Sequence, residues 1–198
     1  MEREQMRGRL LDAAERILRQ EGAAAFSVRA VTAAAGVNVA SVTTAFGGRS
    51  ALVEALFRRV LKPVDEERRR RFAVLAQHDD LPVRAVVAAF VEPLAVVERD
   101  SGSGASELLR LLVTVGDPRP TPLDLLATDP GLSPFDDLLG RALPTVPAPV
   151  RATRVRFALG TVFAAIAWSS GTVLSDRASL DELLTYVTSG LLGLDRTP

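Results

Sequence analysis

Apolar residues recur at helical spacing along almost the whole chain, and glycine or proline interrupts them at short intervals. That pattern points to an all-α fold. Runs of alternating β-branched residues are absent, and so is any internal repeat. The first amphipathic segment, residues 3–21, carries Leu10, Leu11, Ala14, Ile17 and Leu18 on one side and stops at Gly22. Ser27 suits the cap of a second helix through Ala35, with Val28, Val31 and Ala34 inward. Gly36 breaks that helix, and Asn38 can cap a short third one over residues 39–45. After Gly47-Gly48 a fourth begins near Arg49 and shows Leu52, Val53, Leu56, Phe57 and Val60. Lys62-Pro63 is expected to interrupt it, because proline lacks the N–H and crowds the preceding turn. A charged segment then continues to Gln77, and further helices are expected over 82–98, 105–115, 133–143, 147–173 and 179–194.

Composition removes several chemistries. Cysteine is absent, which excludes disulfides, thiolate nucleophiles and Cys-based zinc sites and fits a reducing compartment. His78 is the only histidine and sits in the polar stretch Gln77-His78-Asp79-Asp80, where a loop role is expected. With no phosphate loop, metal cluster or nucleophile motif, neither an enzyme nor a cofactor is expected. The amino terminus carries both charge signs and leads into an amphipathic helix without an apolar signal core. The most hydrophobic stretch, 157–173, holds Gly160, Ser169, Ser170 and Gly171 and reads as a buried helix, not a membrane span. A cytoplasmic, nucleoid-associated protein without a membrane partner is therefore expected. Net charge is zero but divided, with +5 on residues 1–71 and −5 on the remainder. A basic front is what a polyanion would meet. The run Arg68-Arg69-Arg70-Arg71 contributes most of that excess, however, and at helical spacing from Asp65-Glu66-Glu67 it also reads as a solvated helix face.

Two short helices separated by Gly36-Val37 fit a helix-turn-helix, in which the glycine supplies the positive φ of the turn. Ala30, Ala33 and Ala34 permit close helix approach. Val37, Val42 and Phe46 can seat the third helix on the first two, leaving its other side for a DNA major groove. Leu11-Asp12-Ala13-Ala14, Glu21-Gly22, Phe26-Ser27-Val28-Arg29, Ala34-Ala35-Gly36-Val37, Phe46 and Ala51-Leu52 together resemble the amino-terminal motif of the TetR family, in order and at its spacing. The resemblance covers about sixty residues. It implies a three-helix DNA-binding domain over 1–48 and a helical ligand-binding and dimerisation domain over 49–198. The implied function is a homodimeric transcriptional regulator, a repressor released from a palindromic double-stranded DNA operator by a small molecule. A weaker resemblance, carried by 37–42, 46–48, 60–63, 108–112, Pro144 and 156–160, is to the family's fatty-acid-responsive branch. Thr43-Thr44-Ala45 departs from the family, whose members carry aromatic residues there, and Arg49-Ser50 stands where they carry lysine and glutamate. The alternative reading is a TetR-like small-molecule or protein-binding module with weakened or lost DNA binding.

Candidate DNA contacts are Ser27, Arg29, Asn38, Ser41, Thr43, Thr44 and Arg49. Hydroxyls and amides can reach base edges or phosphates, and arginine binds phosphate. Ser27 and Asn38 are equally suited to capping alone, and Arg29 to a solvated surface. Candidate residues of an apolar effector cavity are Phe90, Leu94, Leu111, Val115, Phe135, Phe157, Thr161 and Trp168, each of which also suits ordinary core packing. Few charges interrupt these faces, which favours a hydrophobic ligand such as an acyl chain. The last two helices are expected to form the dimer face, through Ala158, Ala164, Ala165 and Ala167 and through Leu183, Leu184, Val187, Leu191 and Leu192.

Overall fold

A computed structural model describes residues 2–101, 105–114, 132–169 and 172–193. Its helices are α1 (Glu2–Glu21), α2 (Val28–Ala35), α3 (Ala40–Phe46), α4 (Arg49–Leu75), α5 (Val83–Ser101), α6 (Ala105–Thr114), α7 (Leu132–Ala142), α8 (Ala148–Trp168), α9 (Thr172–Ser175) and α10 (Arg177–Leu192), with a 3-10 turn at Ala23–Ala25. The all-α expectation holds: no strand occurs among the described residues. None of these helices is long and apolar enough to cross a membrane.

The amino-terminal helices pack where their apolar stripes meet. Leu10, Ala13, Ala14, Ile17 and Leu18 of α1 are buried against α2, α3 and α4. The same hydrophobic cluster continues without a break through Leu56, Leu61 and Phe90 to Leu191 in α10. Between the two ends lies α4, 27 residues long, or roughly 40 Å at 1.5 Å per residue. Its first half packs on α1 and α3, and the helix goes on to pack on α5 and α7.

Pro63 does not interrupt α4 as expected; the helix runs through it. Proline removes one backbone hydrogen bond and costs about 3 kcal/mol in a helix interior. Pro63 itself faces solvent, while Val60, Leu61 and Val64 around it are buried. Each such side chain contributes about 1.5–3 kcal/mol on burial, so the apolar stripe outweighs the proline. Pro63→Ala is therefore expected to stabilise the protein by about 2 kcal/mol, after allowance for the entropy that proline removes from the unfolded chain. A urea titration checks this, and a lower midpoint in the variant would mean that proline suits this turn.

The single helix expected over 147–173 is divided. α8 ends at Trp168, and Ser169 turns the chain with ψ of 3°. The Ser169 carbonyl accepts from the Thr172 N–H at 3.0 Å, and the Ser169 hydroxyl donates to the Ile166 carbonyl at 3.3 Å. These local bonds compete with helix continuation. α10 restarts behind Asp176, which accepts from the Ser179 N–H at 2.9 Å. Bonds from Ser179 hold the Asp176 carboxyl below its ordinary pKa. His78 lies in the connection after α4, and its backbone carbonyl accepts from Arg141 of α7 at 2.6 Å.

The arginine run is only partly a solvated face. Arg69 and Arg70 are exposed, but Arg71 pairs with Glu67 at 2.9 Å and with Glu92 of α5 at 2.6 Å. Its hydrogen bond holds the Glu67 carboxyl below the usual range, against the opposing effect of burial. Arg68 is only 2% exposed; it donates to the Phe90 carbonyl at 2.9 Å and to Asp65 at 3.1 Å, and its guanidinium lies 3.9 Å from the centre of the Phe90 ring.

Candidate nucleic-acid interface and apolar sites

The turn between α2 and α3 follows from its glycine. Gly36 has φ of 65°, a left-handed conformation that costs a side chain strain. In this conformation the Gly36 N–H donates to the Ala33 carbonyl at 3.1 Å and the Val37 N–H to the Thr32 carbonyl at 3.0 Å. The pair closes the helix end in a Schellman arrangement and directs the chain into α3. At the other end of α2, Ser27 accepts from the Ala30 N–H at 3.0 Å, the capping role assigned to it.

α3 has two distinct sides. Ser41, Val42, Ala45 and Phe46 face the interior, while Val39, Ala40, Thr43 and Thr44 face outward. Asn38 caps the helix: its Oδ1 accepts from the Ser41 N–H and from the Ser41 hydroxyl, both at 3.0 Å. Ser41, a candidate DNA contact, does not lie on the outward side. It is 8% exposed, because its position shares the inward side with Val42 and Ala45, and its hydroxyl completes the cap. Thr44 is exposed, and its hydroxyl donates to the Ala40 carbonyl at 3.2 Å. Arg29 is exposed on the first turn of α2, and Arg49 is half-buried at the start of α4.

Three arginines of α1 hold this unit together, and sequence reasoning missed them. Arg7 donates to the Ala45 carbonyl at 2.7 Å with its guanidinium 4.4 Å from the centre of the Phe46 ring. Arg9 donates to the Ala35 carbonyl at 2.6 Å and Arg16 to that of Ala34 at 3.2 Å. All three acceptors lie in the last turn of α2 or α3, where carbonyls lack partners within the helix and the helix dipole favours a cation. Arg9 and Arg16, two turns apart, share one side of α1, and that spacing was the available signal. Part of the basic front is thus engaged in helix capping.

Residues 10–56 match the family model described as bacterial regulatory proteins, tetR family. This segment is similar to the TetR family. It contains most of α1, all of α2 and α3, and the opening turns of α4. Over nearly its whole length the chain is similar in fold to a TetR transcriptional regulator from Rhodococcus sp. RHA1, at 16% identity across 98% of this chain and 99% of that one, with a TM-score of 0.52. A second solved structure, the multidrug binding protein EbrR complexed with imidazole, is 24% identical across 91% of this chain and 93% of that one, with a TM-score of 0.45. No curated protein matches the chain.

The candidate cavity residues behind the TetR-type segment fall into two places. Phe90, Leu94, Leu111 and Phe135 are buried in the carboxy-terminal half, with the Phe90 and Phe135 rings 4.6 Å apart and Phe72 of α4 6.2 Å from Phe135. Phe157 and Trp168 stand outside, 71% and 77% exposed. They share one stripe of α8 with Thr161 and Ala164, opposite the inward Leu159, Val162, Phe163 and Ile166. Val115 lies outside the described residues. Between the outer faces of α8 and α10 runs a groove of about 430 Å³, lined by residues that include Arg154, Phe157, Thr161, Tyr186 and Gly190.

Most of the α10 residues expected at the dimer face are turned into the protomer instead. Leu183, Leu184, Val187 and Leu191 are buried within the protomer, as is Ala167 of α8. Of the other residues expected there, Ala164 and Leu192 are outward and Ala158 and Ala165 half-buried, and Tyr186 is outward beside them. The leucines turn inward because α10 packs on α5 and α8, which leaves Tyr186 on its far side.

Among the described residues α4 joins the TetR-type segment to the rest, and so does Glu107 of α6, whose Oε2 accepts from the Ala23 N–H of the 3-10 turn at 2.8 Å. Arg59 of α4 adds ion pairs to Asp12 and Glu15 of α1, at 2.5 and 3.0 Å.

Proposed function

We propose that the protein is a homodimeric transcriptional repressor that binds a palindromic operator through α3 and is released by a hydrophobic small molecule. The observation that carries the reading is the two-sided α3, seated by Val42 and Phe46 and exposed along Val39, Ala40, Thr43 and Thr44, within a TetR-type segment. An exposed helix of this kind, held by a preceding helix and turn, is suited to a major groove. Arg29 and Arg49 lie on the two helices flanking α3, where phosphate contacts would set the register. The domain division at 48/49 is a functional one, since α4 packs with both parts.

The effector would occupy the apolar interior around Phe90, Leu94, Leu111 and Phe135, with an acyl chain among the ligands of suitable chemistry. Phe135 packs near Phe72 of α4, and Leu111 lies one turn beyond Glu107 on α6. A ligand that displaced either helix would act on the reader through α4 or through the Glu107 bond to Ala23. Coupling of about 1–3 kcal/mol would weaken operator binding about 5–150-fold.

An electrophoretic mobility shift with genomic fragments at low salt tests DNA binding directly. It also separates the regulator from a module that has lost DNA binding, which would shift no fragment. In that assay Arg49→Ala is expected to weaken binding to every sequence and to lower the salt slope by about one unit per protomer. Unchanged affinity and slope would remove Arg49 from the interface.

A further inference from the structure

Direct base readout in the major groove normally relies on side chains that pair twice with one purine: arginine or lysine with guanine, asparagine or glutamine with adenine. The outward side of α3 offers none. It presents the branched Val39, 51% exposed, then Ala40, Thr43 and Thr44. Val39 and Thr43 are one turn apart, as are Ala40 and Thr44, so their methyl groups form two adjacent rows. Asn38 would be the adenine reader, but its oxygen is taken by the Ser41 N–H and hydroxyl. Only its NH2 group remains, and pairing with adenine needs the oxygen too. The Thr44 hydroxyl donates to the Ala40 carbonyl, which leaves it able only to accept, beside its exposed methyl. The candidate phosphate-binding cations, Arg29 and Arg49, are on neighbouring helices, and Arg7 of α1 is held at the Ala45 carbonyl in the last turn of α3.

We propose that α3 reads its half-site through thymine C5-methyl groups, which Val39, Ala40 and Thr43 meet by apolar contact, instead of through paired hydrogen bonds to a purine. The inference rests on the DNA-binding reading above and specifies which base feature that reading uses. Thymine is the base that offers a methyl in the major groove. An α3 without charge or free amide oxygen gains from excluding water against that methyl. The basic amino-terminal part would supply the sequence-independent attraction that brings the helix into the groove.

The test uses the full-length protein and an operator recovered by selection from a random duplex library. Each thymine of the half-site is replaced in turn by uracil, which differs only by the missing methyl. At one or more positions the substitution should weaken binding about fourfold, the effect of one buried methyl, and about 16-fold when both half-sites carry it. Val39→Ala, at an exposed site, should bring the thymine-to-uracil ratio at its own position close to one. A bound operator indifferent to uracil throughout would overturn the inference and leave the DNA-binding reading intact. A ratio unaffected by Val39→Ala would overturn the part assigned to Val39. Failure to select any sequence would overturn the DNA-binding reading itself, and this inference with it.

Discussion

Arg68→Ala is expected to destabilise the protein by about 3–5 kcal/mol, the range for breaking a buried charged network. The guanidinium acts in three ways at once: it donates to Phe90 O, donates to Asp65 and covers the Phe90 ring. The Phe90 carbonyl lies in the turn of α5 that Pro93 loosens, since Pro93 has no N–H to give the Ala89 carbonyl and crowds that carbonyl. Arg68 therefore ties α4 to α5 beside the weak point of α5. Alanine would leave a cavity beside Phe90, remove the carbonyl's side-chain donor and leave Asp65 without this partner. Arg68→Lys should recover little, because a point charge has neither the fork that serves two acceptors nor the plane that stacks on a ring. Urea unfolding of the two variants measures both effects. A loss below about 1 kcal/mol in Arg68→Ala would show that the network is no stronger than an exposed ion pair.

Arg68 also marks where the sequence stops being informative. In Asp65-Glu66-Glu67-Arg68-Arg69-Arg70-Arg71 four like charges in a row suggest a solvated face, yet a helix cannot direct four consecutive residues to one side. One of them had to point along the stripe of Val60, Leu61, Val64 and Phe72, and α5 supplied its partners. Those partners come from a part of the chain more than twenty residues away, which local pattern does not reveal. Ser27, Gly36, Asn38 and Gly47 were legible because capping and turn chemistry is local. Pro63 reads as a break because local propensity does not register the burial of Val60, Leu61 and Val64 on either side of it. Ser41 reads as a DNA contact because a polar residue on a short helix suggests solvent, whereas the Asn38 cap satisfies it inside. On α8 and α10 both sides of each helix carry apolar residues, so periodicity does not tell the protomer's core from an exposed apolar surface.

That outer surface carries the second large effect. Phe157→Asp is expected to turn the proposed dimer into monomers and to abolish operator binding with it. Phe157, Trp168 and Tyr186 are 71%, 77% and 69% exposed, on two adjacent helices with a groove of about 430 Å³ between them. Exposed aromatic residues, of which Phe157 and Tyr186 line the groove, suit a protein interface, and two copies of α8 and α10 would bury them in a four-helix contact. Two-fold symmetry places the substitution twice in each dimer, so two carboxylates lose water without gaining partners. Each costs several kcal/mol, and a dimer of ordinary affinity is lost at micromolar concentration. The protomer should keep its helical content, because Phe157 contributes little to its own core. DNA binding follows the dimer, since two readers roughly 34–36 Å apart engage both half-sites and a single reader engages one. Val74→Asp is the control: Val74 is also apolar and 57% exposed, but it lies near the end of α4 and away from the groove. Light scattering and a mobility shift on the three proteins decide the matter. A Phe157→Asp protein that remains dimeric would place the interface elsewhere, and a monomer that binds operator as tightly as the native protein would break the link between assembly and recognition.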